Sequence, residues 1–212
     1  CDPGTREFLG KRLFVVDTPG FLDPRLNENE IKEEIGKAYE LTAHPGPNVF
    51  ILVFETSRMT DQELRAPENL KKIFGEQVVN YTIPIFTRGD ELEEDGKTIE
   101  TYLSELEVNH PMKQALDQYG QPCMCFNNKG TEQEKDEMVR QLLQNISNML
   151  SKNGNRVYLT DVFSKVAKVI VHEKAEGNFA PWKSDGSYVL LPQTKEIVIE
   201  GYLRRNFRQR NT

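Results

Sequence analysis

Cysteine is scarce in this 212-residue chain, which carries three. Cys1 stands alone. Cys123 and Cys125 lie two apart in an apolar run, so on a strand they share one face. They fit neither a disulfide framework nor a metal-ligand spacing, and reduced thiols are expected. Histidine is as rare: only His44, His110 and His172 occur. None stands in a visible nucleophile–base arrangement, which argues against a Ser–His or Cys–His hydrolase. No apolar run approaches the ~20 residues of a membrane span. Positive charge is not in excess either. Lys and Arg number 27 against 33 Asp and Glu, a net charge of -6, which argues against a general nucleic-acid binder. There is no internal repeat and no low-complexity tract. Nor is there an initiating methionine. The first residue is Cys, so a processed or an incomplete chain is expected, and the motifs below favour an incomplete one.

What is present is a polar globular composition, 37% hydrophobic and 28% charged. The length suits one sizeable domain with an extension, or two small domains. Short continuous apolar runs recur: Leu13 to Val16, Val49 to Phe54, Ile83 to Phe86, Cys123 to Phe126. Such runs read as strands buried on both faces of a parallel sheet. Helical periodicity separates them, over 29–42, 61–74, 97–106 and, most clearly, 132–150. Pro67 should break the second of these helices or delay its start. Arg6 to Phe8 and Arg12 to Phe14 flank a hairpin loop with Gly10 at the bend. Strands alternating with helices give an α/β fold, a mostly parallel sheet flanked by helices. After Asn153-Gly154-Asn155 the character changes. A helix is expected over 161–174, a loop over 178–187 and a strand-rich stretch over 189–199. The tail from Leu203 to Asn211 holds four arginines and no acid. It reads as a solvated tail or as a contact for an acidic partner.

Three short segments carry chemistry. The first is Asp17-Thr18-Pro19-Gly20, directly after a buried strand. Asp17 can reach a magnesium ion through water. Gly20 lets a backbone N–H approach a γ-phosphate. The second is Thr87-Arg88-Gly89-Asp90, after the third strand. A carboxylate here takes two hydrogen bonds from guanine, at N1–H and the amino group, and adenine has no such donor pair. Arg88 would stack on the base. The third is Asn127-Asn128, opening the loop before the long helix, where backbone N–H groups and amide side chains meet the guanine.

In order and spacing these segments resemble the immunity-associated GTPases, GIMAP, of the avirulence-induced type. The resemblance rests on "VVDTPGF", "LTAHPGPNVFILVF", "MTDQE", "IFTRGDEL" and "CFNNKG", and covers roughly residues 1–160. It implies a partial P-loop GTPase domain over 1–152 with an extension over 153–212, GTP or GDP with Mg2+ as cofactors, and slow hydrolysis in a complete chain. It implies homo- or hetero-oligomers with family members, a GTP-dependent switch or assembly role, and a cytoplasmic setting, with any membrane contact made through other parts or partners. Asp17, Thr18, Gly20, Thr87, Arg88, Asp90, Asn127 and Asn128 are the expected nucleotide contacts, with Asp17 serving the metal. No catalytic residue is assigned. Asn48 stands where the family usually has His, and His44-Pro45 reads as a local insertion.

The phosphate cradle G-x-x-x-x-G-K-S/T is absent. Gly10-Lys11-Arg12 lacks the hydroxyl residue, and Gly36-Lys37-Ala38 falls inside a helical pattern. Gly96-Lys97-Thr98 has Glu91 where the first glycine belongs. The cradle and the first strand are therefore expected upstream of Cys1. Without that strand, the runs at 13–16 and 49–54 should expose apolar surface and the chain should be poorly stable. The alternative reading is a non-catalytic interaction module without its own cradle.

Overall fold

The computed structural model describes residues 2–18, 28–42, 45–56, 61–160 and 196–201. Their elements run β1 (Asp2–Phe8), β2 (Lys11–Asp17), α1 (Glu28–Thr42), β3 (Val49–Glu55), α2 (Asp61–Phe74), a 3-10 helix (Glu76–Tyr81) and β4 (Thr82–Thr87). There follow α3 (Gly89–Glu94), α4 (Ile99–Glu105), α5 (Pro111–Leu116), β5 (Met124–Phe126), α6 (Glu132–Lys152) and β6 (Glu196–Gly201). The strands form one sheet in the order β1-β2-β6-β3-β4-β5. Only β1 is antiparallel to its neighbour; the other pairings are parallel. This is the α/β architecture read from the sequence.

The hairpin turns on two residues, Leu9 with φ 49° and Gly10 with φ 69°. Two positive φ values in a two-residue loop match the twist of the flanking strands, which is why Gly suits the bend. The central strands are buried on both faces, as their unbroken apolar runs require. Leu13, Val49, Ile51, Ile83, Ile85 and Met124 face α6 and pack on its Leu142, Leu143, Ile146 and Met149. On the opposite face Phe50 meets Tyr39 of α1 and Leu70 and Phe74 of α2, while Leu52, Phe54 and Phe86 meet Met112 and Leu116 of α5. The helix α6 begins with a reciprocal cap. Thr131 Oγ1 accepts from the Glu134 N–H at 3.3 Å, and the Thr131 N–H donates to Glu134 Oε2 at 2.6 Å.

Two expectations need correction. Pro67 lies inside an unbroken α2 rather than at a break. It removes one hydrogen bond with Glu63's carbonyl, but it is buried, and Leu70 and Phe74 beyond it are 5% and 3% exposed. Their burial holds the helix through the proline. The expected apolar exposure of β2 and β3 is also not found. Phe14, Val16, Val49 and Phe50 are at most 2% exposed. The strand β6 lies between β2 and β3 and pairs with both, so neither is an edge. The expected strand-rich stretch is observed as β6. Its first part, and the helix and loop expected over 161–187, lie outside the described residues.

The loop before β3 is locked to the chain after α6. The Tyr158 N–H donates to the Pro47 carbonyl at 2.9 Å, and its hydroxyl donates to the Phe74 carbonyl. The Tyr158 ring sits edge-on to Phe50 at 5.1 Å, and burial pushes its hydroxyl pKa up to about 12. Gly46, with φ +116°, lies against the backbone of this segment, and a Cβ there would lie 2.7 Å from the Tyr158 carbonyl oxygen. Gly46→Ala should therefore cost about 1–3 kcal/mol, through backbone strain and that clash. Thermal unfolding followed by circular dichroism checks this, and an unchanged Tm would show that the loop repacks freely.

Candidate functional site

In an open parallel sheet, ligands bind outside the carboxyl ends of the strands. Here that edge carries Asp17 at the end of β2, Gly201 of β6, Glu55 of β3, Thr87 of β4 and Phe126 of β5. The edge is stepped. Asp17 and Ile51 are both level with Gly201, and β3 continues through Leu52, Val53 and Phe54 to Glu55, level with Thr87. At ~3.3 Å per residue that step is roughly 13 Å deep. Asp17 thus lies in the recess, and the Thr87 and Phe126 loops stand above it.

The upper loops are tied together. Thr87 Oγ1 donates to the Phe54 carbonyl at 3.2 Å, and Thr56 Oγ1 donates to the Thr87 carbonyl at 3.2 Å. The Tyr102 hydroxyl of α4 donates to the Thr56 carbonyl at 2.9 Å. The chain then turns sharply. Arg88 has φ 64° and ψ 41°, and Gly89 opens α3. A Cβ on Gly89 would lie 3.1 Å from the Asn127 nitrogen and 3.2 Å from Cys125 Sγ. Glycine is what lets the Thr87–Asp90 loop touch the Asn127 loop directly. Cys123 and Cys125 pack on one side of the sheet and Met124 on the other. Burial pushes both thiols up to about 11, so they remain protonated at neutral pH.

Asp90 is the central group. Its carboxylate is 12% exposed and contacts the Lys129 ammonium. The hydrogen bond from Lys129 holds its pKa below the ordinary carboxylate value, and Asp90 in turn raises that of Lys129. Arg88 pairs with Glu55 through Nε and with Glu91 at 2.8 Å through Nη1, which restrains its side chain. Asn127 shapes its own loop. Its Oδ1 accepts the N–H of Lys129 and of Gly130, both at 2.9 Å, and its Nδ2 donates to Glu93 Oε2 at 2.7 Å. Asn128 is exposed on the same loop, Thr18, directly after Asp17, is buried at 6% exposure, and Gly20 lies outside the described residues. The structure therefore brings Thr87, Arg88, Asp90, Asn127 and Asn128 together, and sets Asp17 and Thr18 apart on the same edge. Sequence reading missed Glu55 and Lys129. The signal for Glu55 was a lone charge ending an apolar strand. For Lys129 it was a cation two residues after the loop asparagine.

Among the described residues no group of three His, Cys, Asp or Glu is placed to hold a metal by itself. Magnesium at a phosphate site needs less than that, one or two carboxylates with phosphate oxygens and water supplying the rest. Asp17 fits the carboxylate role. No helix among the described residues is long and apolar enough to cross a membrane.

Residues 1–176 match the model of the AIG1 family. The chain belongs to the AIG1 family. Its sheet and flanking helices are accordingly those of a partial G-domain fold. Immune-associated nucleotide-binding protein 8 of Arabidopsis thaliana is 32% identical over 194 residues, 90% of this chain and 54% of the relative. Immune-associated nucleotide-binding protein 9 of the same plant is 32% identical over 158 residues, 74% of this chain and 46% of the relative. The human GTPase IMAP family member 8 is 29% identical over 154 residues, 71% of this chain and 23% of that protein. The AIG1-family chain spans about half the length of the two plant relatives, 46% and 54%.

Proposed function

We propose that this AIG1-family chain binds guanine nucleotide, with the base read by Asp90. The observation that carries this is an ionised, largely buried carboxylate in the first turn of α3, just past a parallel strand, where Gly89 brings the Asn127 loop against its own. Two adjacent carboxylate oxygens match the guanine N1–H and amino group. The relatives' names, as nucleotide-binding proteins and a GTPase, support the reading. Arg88 would leave Glu55 or Glu91 to lie along the base, and Asn127 and Asn128 would offer the loop that borders it. Asp17, Thr18 and Gly20 would serve the phosphates, and Asp17 the Mg2+ ion. In a complete protein the site would run a GTP-dependent switch or assembly cycle with slow hydrolysis, paired with family members.

The second reading, a non-catalytic interaction module, is favoured by one observation. No G-x-x-x-x-G-K-S/T occurs in these 212 residues. Titration with fluorescent GDP and fluorescent ADP, with and without Mg2+, separates the two. Saturable GDP binding with no ADP binding is expected under the first reading. A folded chain that binds neither would leave the module reading in place.

A further inference from the structure

We infer that Lys129 is a counter-ion lid on the base-selecting carboxylate, and that guanine must displace its ammonium to bind. The inference rests on the guanine reading of Asp90 and adds an affinity-determining residue to that site. Three features carry it. The first is occupancy: Lys129 Nζ meets Oδ2 of Asp90, one of the two oxygens a guanine would need. The second is selection among cations. Arg88 is directed to Glu55 and Glu91, so of the described residues Lys129 is the one with its cation on the Asp90 carboxylate. The third is presentation. The Lys129 backbone N–H is held by Asn127 Oδ1, Asn127 is anchored to Glu93 of α3, and Thr131 two residues on is fixed by the α6 cap. The loop is pinned while the side chain is 76% exposed. The ammonium can therefore swing into water without moving the backbone, and hydration there replaces its contact with the carboxylate.

Removing the lid should tighten binding. An ion pair with one exposed partner is worth little, so the expected gain is modest, roughly 2- to 5-fold in Kd. Lys129→Met keeps the apolar stem and deletes the charge, and Lys129→Arg restores it. Fluorescent GDP titration should show tighter binding for Lys129→Met and a return to the wild-type value for Lys129→Arg. The difference between wild type and Lys129→Met should shrink as salt rises, because the pair being broken is screened. Circular dichroism should show unchanged folding, since the altered side chain is exposed. Equal or weaker GDP binding by Lys129→Met overturns the lid, because it would mean that the lysine is passive or holds the base. Asp90→Asn separates the two levels. If it abolishes GDP binding while Lys129→Met leaves it unchanged, the lid falls and the guanine reading stands. If Asp90→Asn leaves GDP binding intact, the guanine reading falls and takes the lid with it.

Discussion

An Asp90→Asn variant is expected to lose guanine and gain xanthine. The carboxylate accepts two hydrogen bonds and donates none. An asparagine presents one acceptor and one donor. Its amide nitrogen would face a guanine donor, so one hydrogen bond turns into a repulsive contact and the other loses its charge. Hydrogen bonds to charged groups are worth ~1.5–3 kcal/mol each, so GDP binding should weaken by roughly 100-fold or more. Xanthine carries a carbonyl where guanine carries its amino group, and the new amide donor can meet it. Xanthosine diphosphate should therefore bind the variant better than GDP does. Competition of fluorescent GDP and fluorescent xanthosine diphosphate against their unlabelled forms reads both directions at once. The variant also loses the negative charge that Lys129 contacts, so Lys129→Met should add nothing in the Asp90→Asn background. Undiminished GDP binding by Asp90→Asn would assign Asp90 to the Lys129 ion pair alone.

How much of this was legible in the sequence follows from what each element depends on. The strands could be read because burial on both faces forces unbroken apolar runs, as in Val49–Phe54. The long α6 could be read because its stripe, Leu142 to Met149, repeats at helical period. The two shortest α-helices among the described residues gave no such signal. Gly89–Glu94 and Pro111–Leu116 are each about a turn and a half, too short for periodicity to rise above chance. The continuity of α2 through Pro67 depends on tertiary burial, which local propensity does not contain. The site shows the same division. The loop positions of Asp90 and Asn127 follow from strand ends and motif order. Their partners do not. That Lys129 contacts Asp90 depends on Gly89 letting two loops touch, and Arg88 pairs with Glu55 only because β3 and β4 are in register at Glu55 and Thr87. The largest difference concerns β6, because nothing in residues 196–201 says between which strands they will lie.

That position makes β6 the most consequential element to disturb. Ile199 is in register with Val15 of β2 on one side and with Val49 of β3 on the other. A proline there removes a backbone donor from the middle of a parallel sheet, where proline is essentially not tolerated. Removal of residues 196–212 is more severe. It would leave β2 and β3 as two facing unpaired edges, each lined by side chains that are now almost fully buried, among them Val16 and Val49, both at 0% exposure. Open apolar edges of this kind pair with other chains. Ile199→Pro is therefore expected to lower the Tm by well over ~5 °C, consistent with a loss of about 3 kcal/mol or more in a domain of this size. The truncated chain is expected to elute as aggregate in size-exclusion chromatography. Ile199→Val, which keeps the donor and a β-branched side chain, should stay within ~1.5 kcal/mol of wild type. The conservative variant matters because it separates a backbone role from a side-chain one. If the truncated chain stays monomeric and melts like the full chain, β2 and β3 must close the sheet some other way, and β6 would be a passenger rather than the strand that completes it.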